Sequence, residues 1–117
     1  PLQKAYFVKT RKQREAIEAE RTVAKAKKAL SEARAACASA EKEVQEKENA
    51  AQNASAAEKK NAEKAYKEVR RKADRSKKKI TNKAEKLSRA DADKVVADTE
   101  ARAAAEAFAV ALQEFYE

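Results

Sequence analysis

Three groups of side chains in this sequence have the types and spacing to do chemistry. Cys37 is the sole cysteine, and as a thiolate it could serve as a nucleophile or metal ligand. The row Glu41, Glu43, Glu46 and Glu48 offers carboxylates for acid–base work. The third group is the stretch RRKADRSKKK. It sets Arg70, Arg71, Lys72, Arg75, Lys77, Lys78 and Lys79 around a single acid, Asp74, and could hold phosphates or another polyanion.

The first two groups lead nowhere catalytic. The chain has no His, so the side chain that most often serves as base or metal ligand near neutral pH is missing. It has no Gly, so no phosphate-cradling loop of the P-loop or dinucleotide kind can be built. Cys37 is preceded by two alanines and followed by another. It sits at a position that repeats as apolar, and reads as a small buried residue. An interchain disulfide or a reactive thiol are its other readings. No dry pocket is expected around the carboxylates. The sequence is therefore read as a non-enzyme with no cofactor and no metal.

The elements that carry these residues follow from composition. Charged residues make up 41% of the chain, aromatics 5%, and the sole Pro is residue 1. Ala, Glu, Lys and Arg favour helix, whereas Gly and Pro break it. Val and Ile occur without the alternation that marks a strand. Large apolar residues are few for a chain of 117 residues, which argues against a thick globular core and for long helices. No run of eighteen apolar residues is present to span a bilayer. A first residue of Pro is what loss of an initiator Met, removal of a targeting segment or trimming would each leave. A lone cysteine without a partner favours a reducing compartment, the cytoplasm or an organelle interior. The triplet Asn53-Ala54-Ser55 matches a glycosylation sequon, a pattern that arises often by chance.

Val23, Leu30, Cys37 and Val44 lie seven residues apart, with Ala16 and Ala51 extending the series. Ala19, Ala26, Ala33 and Ala40 follow three residues after members of that series. This is a coiled-coil seam with large residues at a and alanine at d. A second seam runs through Tyr66, Ala73, Ile80, Leu87, Lys94, Ala101, Phe108 and Phe115. Its d partners are Val69, Ser76, Lys83, Ala90, Ala97, Ala104 and Ala111. The two seams differ in register by one residue, which turns a straight helix by about 100°.

The slip falls in AAQNASAAEKKNA and reads as a turn. Asn49 and Asn53 tolerate the left-handed conformation that a turn without Gly would use. Ser55 with Glu58 matches a capping box. The expected fold is all-α: an elongated antiparallel helical hairpin, an alanine-rich coiled coil forming one domain over 1–117. Helix one is placed at about 4–52, the turn at about 53–57 and helix two at about 56–114. Ser88 and Asp91 mark where a third helix could start, from about residue 89.

Antiparallel pairing sets a against d. Residues whose numbers sum to 113 would meet: Ala26 with Leu87, Ala33 with Ile80, Ala5 with Phe108, Leu30 with Lys83 and Cys37 with Ser76. Small faces large in several layers, which permits close approach. Lys83 and Lys94 would snorkel their ammonium groups outward. Charge favours the same fold. Residues 1–30 carry +6, 31–58 carry −3, 59–89 carry +10 and 90–117 carry −5. A hairpin sets opposite signs side by side.

Two surfaces remain for function. The basic residues from Arg70 to Lys79 spread around the faces left by the seam, as a collar. They read as solvated skin, as a dock for an acidic protein or anionic membrane surface, or as a nucleic-acid contact without aromatic readers. Tyr6, Phe7, Phe108, Leu112, Phe115 and Tyr116 would gather at the open end of the hairpin. There they are either an internal plug or a docking tip for a partner protein. The expected function is a structural or scaffolding subunit that braces a larger assembly through helix packing and a basic surface, with a protein partner or a second copy implied. The alternative is a basic helical module binding nucleic acid or an anionic membrane surface without specificity. The Ala, Lys and Glu content resembles that of late-embryogenesis-abundant proteins and of rotary-ATPase stalk subunits, a likeness of composition that carries no residues with it.

Overall fold

The computed structural model describes all 117 residues. Two helices, α1 (Leu2–Asn53, 52 residues) and α2 (Lys59–Tyr116, 58 residues), account for nearly the whole chain, and there is no strand. They form the antiparallel hairpin expected from the two seams. The chain divides into two compact units. One, the open half, joins Pro1–Lys27 to Lys86–Glu117; the other, the turn half, is Lys28–Glu85.

The heptad pattern predicts burial closely. Seven residues are buried: Val23, Leu30, Cys37, Val69, Ala73, Ala90 and Ala104. All seven are seam residues, and none is polar. Every other seam residue from Ala16 to Ala111 is half-buried. No side chain is wholly enclosed, as two helices leave both flanks of a seam open. In the open half, Tyr6 meets Phe108 and Lys12 meets Glu100. Both contacts lie within one residue of the register in which paired numbers sum to 113.

The turn spans Ala54–Glu58 and is built otherwise than expected. No residue has a positive φ, so neither Asn49 nor Asn53 takes the left-handed conformation; Asn49 lies inside α1 and Asn53 ends it. The Ser55 side chain makes no capping hydrogen bond. Instead the Ser55 carbonyl accepts from the backbone N–H of Glu58 at 3.0 Å and of Lys59 at 2.8 Å. This tight turn starts the winding of α2 without a left-handed step. Helix α2 then runs unbroken through Ser88 and Asp91, so no third helix begins near residue 89. Ser and Asp are favoured at helix starts but are only mildly unfavourable inside one. The strong formers around them carry the helix across.

Candidate functional site

Two surfaces stand out, one in each unit. The turn half carries the basic residues. All seven from Arg70 to Lys79 are exposed, but they do not form one uniform collar. Two of them turn toward α1. The Lys77 ammonium lies 3.0 Å from Oε1 of Glu41, a buried oxygen with no aligned hydrogen bond of its own. The contact is ionic, and the Glu41 carboxylate raises the Lys77 pKa above its ordinary value. Arg70 Nη1 donates to Tyr66 Oη at 2.7 Å, with the guanidinium 6.0 Å from the centre of the same ring. Tyr66, more than the nearby carboxylates of Asp74 and Glu48, raises the Arg70 pKa.

The other five, Arg71, Lys72, Arg75, Lys78 and Lys79, form no ion pair. The charge complementarity between neighbouring stretches therefore yields one direct pair in this half, Glu41–Lys77, and one in the open half, Lys12–Glu100 at 2.8 Å. Exposed pairs of this kind are worth about 0–1 kcal/mol, so the helices have little to gain by matching every charge. A surface groove is lined by Lys64, Lys67, Glu68, Arg71, Lys72 and Arg75. Lys64 and Lys67 lie outside the run that the sequence singled out. Their signal is legible there all the same: Lys64, Lys67, Arg71 and Arg75 recur at intervals of three and four, one line along a helix.

The open half carries the apolar residues. Every large apolar side chain that is exposed lies there: Tyr6, Phe7, Ile17, Val95, Val96, Val110, Leu112, Phe115 and Tyr116. The six residues expected at the tip fall into two groups. Tyr6 packs on Phe7 and Phe108, with ring centres 6.1 and 5.7 Å apart. The Lys9 ammonium sits 4.7 Å from the centre of the Phe108 ring, a cation–π contact that the sequence alone does not reveal. Phe115 and Tyr116 meet each other edge to face at 5.3 Å, and join neither Tyr6 nor Phe7. The register explains the separation, because no residue of α1 stands opposite Phe115. Phe108 is half-buried, while Phe115 and Tyr116 are 66% and 78% exposed. Leu112 is exposed as well.

The known proteins offer no match: no family, no curated sequence and no solved structure aligns with this chain. The two surfaces must be read from their own chemistry. Cys37 is buried in the seam and unpaired. No three or more His, Cys, Asp or Glu side chains stand together as a metal site would need. Neither helix is long and apolar enough to cross a membrane.

Proposed function

We propose that this chain is a non-catalytic structural subunit, a helical strut that braces a larger assembly by helix packing and by a basic surface. The observation that carries this reading is the segregation of its surface. All nine exposed large apolar side chains belong to one unit, and the basic run from Arg70 to Lys79 belongs to the other. A helix face wider than its one partner can cover is a face for a second partner. The open half is suited to packing against protein, through Tyr6, Phe7, Leu112, Phe115 and Tyr116. The turn half is suited to an anionic surface.

The test is assembly against helicity in the same variant. A tagged chain is expressed in its native cells, and the complex it enters is isolated with and without Phe115→Ala plus Tyr116→Ala. A fully buried aromatic is worth about 1.5–3 kcal/mol. Loss of two should weaken recovery of the partner at least tenfold, with circular dichroism unchanged. Retained assembly with reduced helicity would reduce these two rings to a local plug and remove the apolar half from the reading.

A further inference from the structure

We propose that the outer face of α2 in the turn half is a binding site for the phosphate backbone of duplex nucleic acid, contacted by Lys60, Lys64, Lys67, Arg71, Arg75 and Lys78. These six recur at intervals of 4, 3, 4, 4 and 3 residues. At 100° per residue they fall within a sector about 80° wide, roughly opposite the seam positions Val69, Ala73, Ser76 and Ile80. The line therefore points away from α1. All six are exposed and none forms an ion pair, whereas Lys77, on the flank, is held by Glu41. Four of the six line one groove. At 1.5 Å per residue the line is about 27 Å long, the length of about eight base-pair steps at 3.4 Å each.

The chemistry of this face selects among polyanions. Every exposed residue of α2 from Lys59 to Arg89 is polar or charged; each alanine, valine, isoleucine or leucine in that stretch is buried or half-buried. A helix that lies in a membrane interface buries an apolar face in it, and this face has none. A partner helix packing side by side needs an apolar seam, and none is offered. Single strands are held by stacking bases on aromatic rings. The sole aromatic here is Tyr66, half-buried and engaged with Arg70. What remains is a regular row of positive charge without stacking groups, which suits a regular row of phosphates. Glu68, which lines the groove, and Glu63 and Asp74, near it, carry the opposing charge. Contact through phosphates alone carries no sequence preference.

This inference rests on the reading of the basic half as a docking surface and does not need the apolar half. The experiment measures binding of the purified chain to fluorescent mixed-sequence DNA and RNA duplexes by anisotropy, across salt. Parallel titrations use a single strand of equal length and vesicles containing phosphatidylserine. Six phosphate contacts predict a slope of log K against log salt of about −5, and about 10³-fold weaker binding at 200 than at 50 mM salt. Binding to either duplex supports the site, and the tighter one names its source. Changing all six residues to Gln should weaken binding more than 100-fold and flatten the slope. The milder pair Arg71→Gln with Arg75→Gln should weaken it about tenfold and reports even if the sixfold variant fails to fold. A charge-matched control changes Lys4, Arg11, Arg14, Lys25, Lys27 and Lys28 to Gln and should cost less than fivefold. Phe115→Ala with Tyr116→Ala should bind duplex as the parent does, which keeps failure of this site apart from failure of the apolar half. Absence of duplex binding at low salt, equal loss in the control, tighter binding to the single strand, or tighter binding to vesicles would each overturn the proposal.

Discussion

Replacing Leu30 by Ala measures how much of this fold depends on its seam. Leu30 is 6% exposed, the largest side chain among the buried residues, and stands at an a position of the seam. Truncation removes three carbon atoms from the seam, worth about 0.8 kcal/mol each, or about 2.4 kcal/mol in lost transfer energy. The residual cavity adds to this in a closed core. Here both flanks are open and Ala26, Ala29 and Ala33 beside it are half-buried, so the gap can close or admit water. The expected cost is about 2–3 kcal/mol, toward the low end of the range for buried Leu→Ala. For a domain of this size that is a fall in Tm on the order of 10 °C. Urea unfolding followed by circular dichroism gives the number. Ile17→Ala is the control: Ile17 has comparable bulk but is an exposed apolar residue off the seam, and its loss should cost about 0.5 kcal/mol or less. If Leu30→Ala costs no more than Ile17→Ala, packing of a and d residues does not hold the helices together, and the seam account of the fold is wrong.

Two further outcomes follow from local geometry. Ser55→Ala should change stability by less than about 0.5 kcal/mol, because Ser55 supplies its carbonyl and not its hydroxyl to the start of α2; a loss near 1 kcal/mol in urea unfolding, the usual worth of a true N-cap, would restore the capping box. Carboxylates raise the pKa of Lys12, Lys77 and Lys94, with Glu100, Glu41 and Asp98 the largest causes. A raised lysine pKa adds stability that is complete below the ordinary lysine value near 10.4. That stability is lost as pH rises through the raised value. With no His to titrate, unfolding midpoints should be flat between about pH 6 and 7.5 and fall only at higher pH; a step near pH 6.5 would contradict this.

The seam was legible because its signal is periodic and repeated. Val23, Leu30 and Cys37 are separated by one heptad each, and all three are buried. The one-residue slip located the turn to within a few residues. What the sequence misjudged were single residues read against general preferences. Asn49 and Asn53 tolerate the left-handed conformation, yet a turn with only negative φ is available. Ser88 and Asp91 look like a helix start, but the cost of keeping them inside a helix is small. Proximity along the chain groups Arg70 and Lys77 with residues that face elsewhere. Spacing of three and four, extended back to Lys64, separates those that share a face. The split of the tip aromatics was hidden, since it depends on where one helix runs out opposite the other.

Antiparallel pairing about a single turn gives this chain an order of assembly. In the register of 113, Val44 would meet Val69 across 25 residues of chain, whereas Ala5 would meet Phe108 across 103. The entropy of closing a loop grows as three-halves RT times the logarithm of its length. If each contact formed alone, the outermost would cost about 1.3 kcal/mol more than the innermost. Contacts near the turn therefore form first, and each one shortens the loop that the next must close, so the helices zip from the turn toward the termini. Opening runs the other way. The amides of the turn half should then exchange with solvent more slowly than those near Phe108, and the reverse pattern would exclude zipping. By this order the half that presents the aromatic rings should be the last to close and the first to part, and separation of the two helices there would expose more apolar surface without disturbing the basic half.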